Sequence, residues 1–165
     1  MTDDLPQIDP EALRREAERK ARSFLSIGEF IFGFSQLEFT IRTLLAARLN
    51  LTDEQFDVVV GLYDFTMLCK ATSAILQQQF PGKTDEIKEV LEKRCLELNT
   101  DRVRIAHGLW TDNTHTLVAR HLSRNSLKAE FYYMDPKELD RLTDTAQRLM
   151  GDVFNLARDF PSDSG

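Results

Sequence analysis

The sequence predicts an all-α fold: a bundle of four to five helices forming one domain, with a short β-hairpin before the last helix. Three observations lead there. Apolar residues recur at helical spacing over most of the 165-residue chain. The stretches that carry them are separated by helix caps and by Pro-Gly punctuation. Two short runs of β-formers stand just ahead of the final helical stripe. At 42% apolar residues, a chain of this length can build one sizeable core.

Each element has its own signal. Met1 to Ile8 read as a frayed arm, outside a single domain spanning 9–160. Asp9-Pro10 is a helix start, with Asp as the cap and Pro at the first helical position. Glu11 to Ser23 are heavily charged and read as a solvated face. From Phe24 the chain turns apolar, and Gly28 and Gly33 mark a bend or a close helix contact. Ile27, Ile31, Phe34, Glu38, Ile41 and Leu45 form one helical row, with Phe30, Leu37 and Leu44 beside it. Most of the eleven Phe fall between Phe24 and Phe80, so the core is expected to be densest there. Asn50 ends this helix.

Thr52 to Gln55 resemble a capping box for a short helix through Val60. Asp64 caps the next helix, which Pro81-Gly82 stops. Thr84 or Asp85 opens the fourth long segment, with Ile87, Leu91, Cys95 (or Arg94), Leu98, Arg102, Ile105 and Leu109 as its seam. Gly108 reads as a left-handed residue just past the helix end, and Asp112-Asn113 as a turn. Thr116 to Leu122 and Leu127 to Met134 form the hairpin around Ser-Arg-Asn-Ser. Asp135-Pro136 starts the last helix, striped by Leu139, Leu142, Ala146, Leu149, Val153, Leu156 and Phe160. Residues 161–165 read as a disordered tail.

Composition narrows the function. A formal net charge of −6 argues against broad adhesion to nucleic acid, which depends on Lys and Arg neutralising phosphates. Cys69 and Cys95 are far apart and lack any CxxC companion, so no metal site is expected. No cofactor is implied, since no Gly-rich phosphate loop or HExxH is present. The N-terminal residues hold no apolar signal segment, and no run reaches the length of a membrane span. A cytoplasmic protein with no membrane association is expected.

Arg102 and His107 remain as candidate chemistry. Histidine moves protons near neutral pH, and arginine holds phosphate and stabilises charge developing on it. Five residues apart on a helix, the two diverge by about 140° with a rise of roughly 7.5 Å. They converge only if the helix loosens before Gly108 or if a dimer axis joins two sets. Two structural readings stand beside this. Arg102 would neutralise Glu38, the one acid in the first helical stripe. His107 would cap carbonyls at its own helix end.

The run Arg102-Val-Arg-Ile-Ala-His107-Gly108 resembles the R-x4-6-H motif of the HEPN domains. FGFSQLEFTIRTLL, with Glu38, is similar to that family's second helix. The resemblance implies an all-α, usually dimeric domain. It also implies a metal-independent ribonuclease of toxin–antitoxin or phage-defence type, with RNA as substrate and an antitoxin or other protein as partner. His107 would be the general acid/base and Arg102 the phosphate clamp. Glu38 would orient Arg102, and Arg104 would contact the RNA backbone. The family commonly has a polar residue directly after the arginine, where this chain has Val103. Other members are non-catalytic interaction modules, and for such a module Arg102 and Glu38 would form a structural pair.

Overall fold

The computed structural model describes residues 9–113, 116–122, 129–133 and 136–159. It is a helical bundle with one small sheet. Helix α1 (Pro10–Arg48) is the spine. The Glu11 N–H donates to Asp9 Oδ1 at 3.0 Å, with Pro10 at the first helical position. The helix then runs unbroken for 39 residues, about 58 Å at 1.5 Å per residue. Gly28 and Gly33 do not interrupt it. A Cβ on Gly33 would lie 3.7 Å from Ala146 Cβ of the last helix, which makes this glycine a point of close packing. Asn50, with φ 51°, turns the chain out of α1.

Helix α2 (Asp53–Val59) is short, and the Thr52 N–H is held by Gln55 Oε1 at 2.9 Å. Helix α3 (Phe65–Gln79) starts where Asp64 Oδ1 accepts the Met67 N–H at 2.8 Å. A 3-10 turn at Pro81–Lys83 leads into one continuous helical run. That run is α4 (Thr84–Ile87), a π-helical stretch at Lys88–Arg94, and α5 (Cys95–His107). The π stretch is fastened on two sides: Arg94 meets Asp152 at 2.7 Å, and Glu92 accepts from Ser73 Oγ at 2.6 Å.

The sequence pattern placed Leu109 at the end of a helix and Asp112-Asn113 in a turn. The structure puts them in a strand, β1 (Leu109–Asn113), with Leu109 61% exposed. β1 pairs antiparallel with β2 (Thr116–Leu122), and β2 with β3 (Ala129–Tyr132). The expected hairpin is therefore two strands of a three-stranded sheet. Helix α6 (Pro136–Asp159) closes the bundle along α1, and Ser26 Oγ donates to Asp140 at 3.0 Å between them. The Met1–Ile8 arm, the Ser-Arg-Asn-Ser turn, Asp135, His115, Phe160 and residues 161–165 lie outside the described residues.

The core follows most of the predicted stripes, although Ile31 and Leu109 are exposed. Phe30, Phe34, Leu37, Ile41 and Leu45 are buried, as are Leu139, Ala146, Leu149, Val153 and Leu156 of α6. Burial of this kind stabilises by about 1.5–3 kcal/mol per large side chain. The phenylalanines are not all in the core, however. Phe24, Phe32 and Phe39 are about 60% exposed, and with Leu25 they give α1 a second, outward apolar face. Among the described residues, no helix is long and apolar enough to cross a membrane.

Candidate functional site

Helix α5 carries the candidate residues. Cys95, Leu98 and Ile105 bury one face of it. Arg102 sits in that same seam, four residues after Leu98 and three before Ile105, so its side chain is aimed at the bundle. It is half-buried, and its guanidinium carbon lies 5.8 Å from the centre of the Phe34 ring on α1. Among the described residues no carboxylate meets Arg102.

Glu38 does not reach across to Arg102. Its carboxylate is taken by Arg42 at 2.5 Å, one turn along α1. Arg42 also donates to the Tyr63 carbonyl at 2.7 Å and to the Val60 carbonyl. The arginine that Glu38 positions therefore fastens the α2–α3 turn to α1. This is the physical reason the predicted Glu38–Arg102 pair is missing: an i,i+4 partner on the same helix is nearer.

His107 is the last residue of α5 and is exposed. The helix stays regular from Cys95 through His107, so the loosening that would let His107 turn toward Arg102 does not occur. In one chain the two side chains leave α5 about 140° apart. Between them on the helix surface lie Ala106, about 40° from Arg102, and Val103, about 100° from it. Both are exposed.

His107 does not cap the helix end either. The Gly108 N–H donates to the Arg104 carbonyl at 2.8 Å, and Trp110 Nε1 donates to the Ile105 carbonyl at 3.0 Å. Gly108 is extended (φ −69°, ψ 146°), not left-handed. Its glycine is required by space: a Cβ would stand 2.4 Å from the Arg104 carbonyl oxygen and 3.2 Å from Ala119 Cβ. β1 can leave α5 this closely only because that position has no side chain.

Sequence reasoning missed one cluster. Arg104 pairs with Asp101 at 3.2 Å and lies 4.3 Å over the Tyr132 ring. The Tyr133 hydroxyl donates to Asp101 Oδ1 at 3.1 Å, and its ring stacks on Trp110 at 6.0 Å. Burial pushes the Tyr133 phenol well above its ordinary value, and the Asp101 carboxylate adds to this. The signal was available in the adjacent Tyr132-Tyr133 and the single Trp. Cys69 and Cys95 are free and buried. Their mutual hydrogen bond, followed by burial, raises the Cys69 thiol far above its usual range.

Among the described residues no group of three or more His, Cys, Asp or Glu side chains is placed to hold a metal ion. Compared with family models, with curated proteins and with solved structures, the chain finds no match.

Proposed function

We propose that the protein is a HEPN-like, metal-independent endoribonuclease that acts in the cytoplasm as a homodimer, in a toxin–antitoxin or phage-defence setting. One observation carries this. Arg102 is half-buried in an otherwise apolar seam, yet no carboxylate among the described residues neutralises it, and Glu38 belongs to Arg42. A cation kept in this way is available to an anion that arrives from outside, and a phosphodiester is such an anion.

In the reaction, the RNA 2′-oxygen attacks the adjacent phosphorus. A P–O2′ bond forms and the P–O5′ bond breaks, leaving a cyclic phosphate and a 5′-hydroxyl. His107 takes the proton of the 2′-hydroxyl and returns one to the departing 5′-oxygen. Arg102 stabilises the charge that grows on the non-bridging oxygens. Because the two residues diverge on one helix, the site is composite. Two α5 helices lying side by side and parallel, in contact through Val103 and Ala106, would set Arg102 of one copy beside His107 of the other. Val103 then serves as contact surface where the family commonly has a polar residue. An antitoxin or other partner protein would control access to this cleft.

The test is cleavage of total and transfer RNA in EDTA by the wild type and by His107→Ala. Cleavage by the wild type alone, with cyclic phosphate ends, is the expected result. Equal cleavage by a folded His107→Ala protein would refute it. The regular helix up to His107 favours a second reading, a non-catalytic interaction module. RNA left intact by a dimeric wild type would support that reading.

A further inference from the structure

The end of α5 that bears His107 also carries a flat, fixed cation. Arg104 precedes His107 by three residues, which puts their Cβ atoms about 5–6 Å apart on one face of the helix. Asp101 holds the Arg104 guanidinium at 3.2 Å, and the Tyr132 ring supports it from below at 4.3 Å. The Arg104 side chain remains 33% exposed, with the Tyr132 ring against one side of its guanidinium.

The support under this cation is built at some cost. Tyr133 has φ 63°, a conformation that a large side chain rarely adopts. In an extended strand Tyr132 and Tyr133 would point to opposite faces. The left-handed turn at Tyr133 instead brings their rings within 6.1 Å of each other and sets Trp110 against Tyr133 at 6.0 Å. The only tryptophan and two of the three tyrosines are thereby gathered at one spot. Backbone strain of this kind clusters at functional sites.

We propose that the face of the Arg104 guanidinium opposite Tyr132 is a stacking shelf for one base of a single-stranded RNA, placed so that the attached ribose lies against His107. The inference rests on the ribonuclease reading and names how the substrate is held. It also changes the expected role of Arg104. With its charge shared by Asp101, Arg104 offers a π-surface more than a free positive charge, so it holds a base rather than the backbone. Stacking also answers the electrostatic difficulty. A chain of net charge −6 gains little from long-range attraction to phosphates, whereas base stacking on a planar side chain does not depend on net charge.

The experiment measures binding of a labelled oligoadenylate, and of a ribose-phosphate strand of the same length without bases, to the His107→Ala protein. Arg104→Lys keeps the charge and removes the plane. It is expected to weaken oligoadenylate binding about tenfold while leaving the abasic strand unaffected. Tyr132→Leu, which removes the support, is expected to act in the same direction, with Trp110 fluorescence reporting an intact fold. An equal loss for both strands would make Arg104 a backbone contact and overturn the proposal. So would unchanged binding in both variants. The wild-type cleavage assay separates the two claims. Cleavage with Arg104→Lys silent refutes only the shelf. Base-dependent binding without cleavage refutes only the enzyme.

Discussion

Arg42, on α1, and Arg102, facing α1 from α5, do different work. Arg42 satisfies a half-buried carboxylate and two backbone carbonyls at once. Removing it takes the donor from the carboxylate and from the Tyr63 carbonyl, while the Val60 carbonyl keeps the Tyr63 N–H, and Arg42→Met is expected to lower the urea-unfolding free energy by about 2 kcal/mol. Among the described residues Arg102 has no charged partner, and its contact with the Phe34 ring is worth about 0.5–1 kcal/mol. Arg102→Met should therefore lower stability by no more than about 1 kcal/mol while abolishing cleavage. A larger loss for Arg102→Met than for Arg42→Met would show that Arg102 is a structural residue. The sequence made Arg102 visible because it interrupts an apolar seam. It could not show which arginine Glu38 would choose, since that depends on a partner four residues away competing with one sixty-four residues away.

Helix α5 and the strand that follows it depend on Gly108. A Cβ there collides with the backbone of Arg104, and backbone yields less readily than a flexible side chain. Gly108→Ala is expected to cost about 2 kcal/mol in denaturant unfolding. It should also reduce the RNA affinity of the His107→Ala protein, because β1 carries Trp110. A neutral effect would mean that β1 can leave the helix by another path. Caps and stripes were legible at this scale because they are local: Asp9, Gln55 and Asp64 each bond within three residues. Other features were not local. The π stretch at Lys88–Arg94 is anchored by Ser73 and Asp152 from distant elements. β1 exists because β2 pairs with it, and no periodicity in Leu109–Asn113 records that. The length of α1 was obscured by two glycines whose flexibility is overridden by packing along α6.

At the scale of the whole molecule, two of the outward apolar surfaces among the described residues make different claims. One is the strip of Val103 and Ala106 on α5, between Arg102 and His107. The other is the row Leu25, Phe32 and Phe39 on α1, on the side of that helix away from Phe34 and hence from Arg102. The bundle itself could be read from composition and stripes. Neither surface could, because an exposed phenylalanine and a buried one have the same letter. If the strip on α5 joins two copies, Val103→Glu sets like charges together and should weaken the dimer about a hundredfold and stop cleavage. Phe32→Glu should leave cleavage intact. Dissociation by Phe32→Glu alone in sedimentation would move the dimer to α1. The most direct test of a composite site is complementation between two inactive variants, Arg102→Ala and His107→Ala, mixed under conditions that exchange subunits. If each site draws Arg102 from one copy and His107 from the other, mixed dimers contain one intact site, and about a quarter of wild-type RNA cleavage returns. A mixture that exchanges subunits and stays inactive would contradict the shared Arg/His site.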